Sequence, residues 1–285
     1  MKKNKEEINL DFLIPLSVDD KIRLGPKRDG GYVVYKPSLL QTDILMTYGV
    51  GWDFNFEVDF HNLTGKKVYT YDPTMIGDSF FDKILYRKLI KKLMFKQLYK
   101  NIKFAFRWKK KIENLRKNDV IFYSEGIACK QERKYDTFQS HLKKNSITTE
   151  KILLKIDIEE NEYDIFSDVD FFKHLNDNVV QIIIEFHNLK NRLRELKQIV
   201  QRLKESFEIV HIHGNNNSKL FTIYRDDEND ICFPDLVELT FVKKESILPK
   251  DILTEKINYP CPGLDYPNIP FKPDFIKLTF QSLCD

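Results

Sequence analysis

The chain has 285 residues, 31% of them charged and 42% hydrophobic, with a formal net charge of only +3. That is the make-up of a globular protein able to bury a large core in one domain with additions, and no apolar run reaches the length of a membrane span. The cysteines at 129, 232, 261 and 284 show neither metal-ligand spacing nor a disulfide framework, and the start MKKNKEEINLDF lacks the apolar centre of a secretory leader, so a reducing cytoplasm is the expected location.

In chain order, residues 21–35 (KIRLGPKRDGGYVVY) read as a turn at Asp29-Gly30-Gly31 feeding a short strand. Residues 43–72 then form the most informative unit: an apolar strand ending in Gly49-Val50-Gly51, an amphipathic stretch, and a second strand closing on Asp72. This strand–glycine turn–helix–strand–acid order holds the nucleoside end of a cofactor. Glycine lets the backbone turn sharply and lets a ribose approach, and the Asp72 carboxylate can accept both ribose hydroxyls. A dinucleotide site wants a third glycine three residues after the second. Phe54 stands there, and Asp53 would turn negative charge toward a phosphate. S-adenosylmethionine, which has no phosphate, fits these residues better than NAD. An incidental strand–turn–helix stays open, because a short glycine motif is a weak signal.

Residues 78–117 read as a basic helical insertion. Within 81–117 there are 14 Lys and Arg against 2 Asp and Glu, so the rest of the chain is net acidic. Leu85, Leu89, Leu93, Met94, Leu98, Ile102 and Phe106 recur at helical spacing, with basic residues on the other faces. Such a helix can cover the domain, dock an anionic substrate, or lie on an anionic membrane or nucleic acid. DNA is not an expected partner; a peripheral membrane contact through 81–117 stays open.

A strand at 120–123 ends at Ser124-Glu125-Gly126, and 135–144 reads as a short helix. Strands follow at 152–158 and 179–186, each with a helix after it (162–175 and 189–205), then strands at 207–213, 220–224 and 236–242. The segment 259–273 holds five prolines and reads as an extended surface tail. Strands alternating with helices predict a mainly parallel sheet with helices on both faces. The two late strands predict an antiparallel strand at one edge. The fold class is therefore α/β, Rossmann-like, in a single domain with a basic insertion and a Pro-rich tail from about 258.

Polar residues gather at the carboxyl ends of these strands, where an open α/β sheet binds its ligand. Asp157 and Glu159 share one face of a strand end, and Glu162 opens the next helix, where its charge suits the helix dipole. The bland reading is a helix-start acid cluster; the functional one makes Asp157 a hydrogen-bond acceptor or general base. Glu185 and His187 end a buried-type strand, either as a satisfied pair at the sheet rim or with His187 taking a hydroxyl proton. His213 precedes a polar turn in which Asn215 and Asn216 bind sugar hydroxyls or merely form the turn, and His211 reads as structural. Asp157, Glu185, His187 and His213 are types that hold a divalent ion, yet every spacing is long, and no metal is expected.

RLGPKRDGGYVV (23–34), TYGVGWDFNFE (47–57), VYTYDP (68–73), LLKIDIEENEYDIF (153–166), IIIEFHNL (182–189) and HIHGNN (211–216) together resemble the FkbM-like branch of S-adenosylmethionine-dependent methyltransferases, over about 23–242. LDYPNIPFKPDF (264–275) is similar to the tail of bacterial members. The resemblance implies a methyltransferase sheet with S-adenosylmethionine against Gly49, Gly51, Asp72, Glu125 and Gly126. It places Asp157, Glu185, His187 and His213 around the acceptor. It departs at Glu160, where the family usually has glycine, and at Tyr48, which precedes the first glycine. The expectation is an O-methyltransferase acting on a sugar hydroxyl of a nucleotide-linked sugar or surface polysaccharide precursor. The alternatives are a non-catalytic nucleotide- or membrane-associated module, or an RNA methyltransferase using Phe104, Phe106 and Trp108 to stack bases.

Overall fold

The computed structural model describes residues 9–75, 95–149, 151–225, 230–275 and 277–280. After a short 3-10 turn, β1 (Lys21–Leu24) and β2 (Tyr32–Tyr35) form an antiparallel hairpin, followed by α1 (Lys36–Gln41). The cofactor-type unit is β3 (Ile44–Tyr48), α2 (Asn55–Thr64) and β4 (Lys67–Tyr71), and α3 (Phe95–Lys117) crosses to β5 (Val120–Tyr123). Two short strands, β6 (Gly126–Ile127) and β7 (Tyr135–Asp136), precede α4 (Phe138–Lys144) and β8 (Ile152–Ile156). Then come α5 (Glu162–Ser167), α6 (Val169–Asn178), β9 (Val179–Phe186), α7 (Leu189–Leu203) and β10 (Phe207–Gly214). The last strands are β11 (Leu220–Arg225), β12 (Asp230–Pro234) and β13 (Val237–Lys243).

Seven strands make the main sheet, in the order β10-β13-β9-β8-β3-β4-β5. All run parallel except β13, which is antiparallel to both neighbours. This is a Rossmann-like α/β sheet with one reversed strand. The antiparallel strand sits one place in from the edge rather than at it, because β13 returns between β9 and β10 and leaves β10 outermost. The expected strand at 220–224 pairs instead with β12, in a hairpin outside the sheet. The helix expected over 162–175 is two. Asp168 ends α5 and caps α6, its carboxylate accepting from the amides of Asp170 at 2.7 Å and Phe171 at 3.3 Å.

Period-2 alternation sorts the central strands between two cores. Leu154, Ile182 and Ile184 face the α5–α7 side with Phe166, Leu196 and Val200. Leu153 and Ile183 face the α2–α3 side with Phe56, Phe60, Trp108 and Leu115. The spacing of Leu189, Leu196, Ile199, Val200 and Leu203 puts one buried stripe on α7. The described part of the basic segment is thus the sheet's own crossover helix between β4 and β5; Leu85, Leu89, Leu93 and Met94 lie outside the described residues. Among the described residues no helix is long and apolar enough to cross a membrane.

Candidate functional site

The chain leaves β3 toward β4 and β5 and later takes up β8 and β9 on its other side, so the sheet's switch point lies between β3 and β8. Beyond the carboxyl ends of those strands opens a cavity of about 460 Å³, within the range of small-molecule and cofactor sites. Its walls are the turns after β3, β4 and β8, the start of β6, and the loop joining β1 to β2.

Gly49 has φ +79°, and a Cβ there would stand 1.5 Å from the Asp157 carbonyl oxygen, so only glycine lets the turns after β3 and β8 lie this close. The Gly51 amide donates to Asp72 Oδ2 at 2.9 Å. Asp72 Oδ1 accepts from the Thr74 amide at 2.8 Å, the Thr74 hydroxyl at 2.6 Å and the Met75 amide at 3.3 Å. The carboxylate therefore ties the turn after β3 to the turn after β4. Oδ1 is saturated, and Oδ2 keeps one lone pair for a single ligand hydroxyl, not capacity for two at both oxygens. Asp53 is paired with Arg28 at 3.0 Å on the cavity wall. Its charge is offset, and the case against a pyrophosphate rests on Phe54, which is buried and packs against Trp108.

Below this wall Tyr48 and Tyr71 stack at 4.9 Å, and the His141 ring stacks on Tyr71 at 4.3 Å and contacts the Tyr48 hydroxyl at 3.0 Å. Burial pushes the His141 imidazole down to about 4, so it stays neutral. Gly126 lines the cavity, wedged where a Cβ would meet Tyr135 and Pro73. Glu125 does not line it: its carboxylate turns to Lys144 at 3.0 Å and lies 3.5 Å from His141 Nε2.

The opposite wall is built on the end of β8. Tyr32, from β2, places its hydroxyl 3.1 Å from Asp157 Oδ2 and 3.2 Å from Glu185 Oε2. One hydroxyl hydrogen serves only one of them. Burial, then the nearby Asp157 and Glu238 carboxylates, push Glu185 well above the ordinary carboxylate range. The Tyr32 hydroxyl thus bridges two carboxyls that burial disposes to hold a proton, Glu185 the more strongly. Burial also raises Asp157, against the opposing pull of Lys155 and His187. Lys155 Nζ lies 4.7 Å from the Tyr32 ring centroid. Glu185 accepts from Asn215 Nδ2 at 3.1 Å behind this row.

His187 stands behind Asp157 and Glu159. Its amide and its Nδ1 lie 2.8 and 3.0 Å from Glu162 Oε1, which directs Nε2 toward Glu159 Oε2 at 3.5 Å and Asp157 Oδ1 at 3.9 Å. Burial lowers its proton affinity, but Glu162, Asp157 and Glu159 outweigh burial and the net shift is upward. The wall residue able to take a proton is thus Asp157, with the His187 ring behind it.

His213 is apart from the cavity, 1% exposed, with Nδ1 3.4 Å from Glu238 and Nε2 3.7 Å from Asp274. His211 pairs with Asp265 at 2.8 Å. Asn216 Nδ2 donates to carbonyls of the tail, and its Oδ1 accepts the Ile269 amide at 2.8 Å. These side chains anchor the Pro-rich tail, which is not a free surface segment: Tyr259 and Asn268 are buried, and Asn268 Nδ2 donates to Glu238 at 2.7 Å. The sequence reading missed Tyr32, Lys155, Arg28 and Trp52. A lysine inside the apolar run ILLKI was a usable signal; nothing in the sequence ties Tyr32 to Asp157.

No known family model matches the chain, and no curated protein does. Among solved structures it is similar to the precorrin-6y C5,15-methyltransferase of Geobacter metallireducens, at 11% identity and TM-score 0.32 over 72% of this chain and 84% of that one. An rRNA methylase from Streptococcus thermophilus gives 9% identity and TM-score 0.34 over 73% and 93%. A SAM-dependent O-methyltransferase from Thermotoga maritima gives 12% and 0.30 over 74% and 66%.

Proposed function

We propose that the protein is an S-adenosylmethionine-dependent methyltransferase that methylates a hydroxyl of an anionic acceptor, such as a nucleotide-linked sugar or a surface polysaccharide precursor. One observation carries the reading: a single cavity joins the Gly49–Gly51 turn and Asp72 on one wall to Asp157, Glu159 and Tyr32 on the other. The resemblance to the FkbM-like branch supports it through the stretches that line this cavity. Asp72 would hold the donor ribose through the spare lone pair of Oδ2, and Asp157, on the other wall of the cavity, would face the acceptor. The acceptor oxygen forms a bond to the methyl carbon, the carbon–sulfur bond breaks, and sulfur keeps the electron pair. The hydroxyl proton goes to Asp157, which burial makes a better base than a surface carboxylate. Most of the acceleration comes from aligning the two partners. Titration of S-adenosylmethionine by calorimetry tests this. Binding that is lost in Asp72→Ala is expected; no binding to the wild type, or binding unaltered by the substitution, ends the proposal.

A second reading, an RNA methyltransferase, draws on α3. Arg107, Lys110, Lys111 and Lys117 are exposed along it beside exposed Phe104 and Phe106, and Phe104 packs on Trp52 of the cavity wall. RNA binding that falls steeply with salt supports this reading; its absence removes it.

A further inference from the structure

Three side chains that the sequence separates by up to 30 positions converge at the ends of β8 and β9. One oxygen each of Asp157 and Glu159 and one nitrogen of His187 lie within 4.8 Å of one another. Nε2 of His187 stands 3.5 Å from Glu159 Oε2 and 3.9 Å from Asp157 Oδ1. These separations are too long for good hydrogen bonds and suit atoms that share a central ion at about 2.0–2.2 Å from each. The imidazole is also oriented from behind. Glu162, fully buried, engages Nδ1 at 3.0 Å, which leaves Nε2 as the ring atom facing the carboxylates. A carboxylate fixing the far nitrogen of a histidine is the usual support of a metal-bound imidazole. The spare oxygen of Glu162 has no hydrogen-bond partner among the described residues. Three carboxylates thus surround one imidazole, and a divalent ion would take the place of a proton on its Nε2.

The cluster also has an access path and open positions. Asp157 and Glu159 line the cavity, so an ion held by three protein groups keeps its remaining positions toward that space. Asp157 divides its two oxygens between tasks: Oδ2 takes the Tyr32 hydroxyl and Oδ1 faces His187.

We infer that Asp157, Glu159 and His187 form a binding site for one divalent cation of the Mn²⁺ class, open to the cavity. Two carboxylates and one imidazole suit Mn²⁺ better than the all-oxygen cage that Ca²⁺ prefers. Within the methyl-transfer reading, on which this assignment does not depend, such an ion would hold two neighbouring acceptor oxygens and favour loss of the hydroxyl proton.

The test is calorimetric titration of the full chain with MnCl₂, without methyl donor, on wild type, Glu159→Gln and His187→Ala. Mn²⁺ avoids the thiols of Cys129, Cys232 and Cys261 that would trap softer ions. One ion per chain is expected, with binding weakened about 10–100-fold in each variant. Absence of one-to-one binding overturns the assignment, as does binding that Glu159→Gln leaves unchanged. Should His187→Ala fail to fold, Glu159→Gln decides alone, since the Glu159 side chain is 87% exposed and carries little of the fold. A parallel titration with S-adenosylmethionine separates the two proposals. Donor binding without Mn²⁺ binding removes only the ion; Mn²⁺ binding without donor binding removes only the methyl-transfer reading.

Discussion

At the scale of single residues, the two glycines of the turn after β3 look alike in the sequence and differ in what surrounds them. Both have positive φ, but a Cβ at Gly49 would collide with the backbone of Asp157, whereas one at Gly51 would meet nothing within 4 Å. Gly49→Ala forces β3 and β8 apart at the cavity and adds left-handed strain. It is expected to cost about 2–4 kcal/mol in urea unfolding and to abolish donor binding. Gly51→Ala carries only the conformational cost, about 1–2 kcal/mol, with the fold intact. Equal losses in the two variants would show that the close approach of the turns is not what fixes Gly49. The Tyr32 hydroxyl gives a second residue-scale expectation. Tyr32→Phe leaves Glu185 and Asp157 facing each other without their bridge, so kcat should fall at least about tenfold and the pH–rate profile should move, while donor affinity stays within about twofold. An unmoved profile would remove Tyr32 from the proton path.

At the scale of elements, α3 is both a crossover and a wall. Trp108 is buried against Phe54 and Phe122 of the second core. Trp52 of the turn after β3 packs its ring on Phe104 and Trp108 and stays half-exposed, and its carbonyl accepts from Lys111 Nζ at 2.6 Å. The same helix therefore holds the sheet and the lip of the cavity. Trp108→Ala should lower stability by about 3–5 kcal/mol in urea. Trp52→Ala should leave unfolding within about 0.5 kcal/mol and weaken ligand binding instead. The reverse pattern would mean that Trp52, not Trp108, is the structural ring. The tail from Tyr259 onward is the other element whose role emerges from packing. Its Asp265 and Asn268 are buried against His211 and Glu238, which fastens it over β10 and β13.

At the scale of the whole molecule, buried histidines shape the pH dependence of stability in opposite senses. His213 is held among Glu238, Asp274 and Asp265, with His211 close by; burial opposes its charge, but the carboxylates prevail and raise it to about 10. The unfolded imidazole loses its proton near 6.5 and the folded one keeps it to about 10. The stabilisation from His213 is therefore full below pH 6.5 and is shed as pH climbs to about 10. His141 acts the other way. It is neutral in the fold down to about 4, so the unfolded state binds the extra proton first, and stability falls as pH drops from 6.5 toward 4. His213→Gln should therefore flatten the fall of the thermal unfolding midpoint between pH 6.5 and 10. An unchanged slope between pH 6.5 and 10 in that variant would show that His213 is not the charged partner of Glu238.

Much of this was legible in the order of residues. The near-continuous apolar runs ILLKI and VVQIIIEF, the helical stripe of α7, and the glycine turn closing on Asp72 follow from local spacing, and they suffice for a parallel α/β sheet with a crevice at its strand ends. Spacing could not say that β13 slips between β9 and β10, that Glu125 turns outward to Lys144, or that His213 serves the tail and not the cavity. Those outcomes depend on which distant groups offer a counter-charge once the chain is packed, and a strand's alternation is blind to its neighbours. The meeting of Tyr32, Asp157 and Glu185, and of Asp157, Glu159 and His187, was likewise settled only by tertiary structure, because it joins a hairpin and two strand ends that no local period connects.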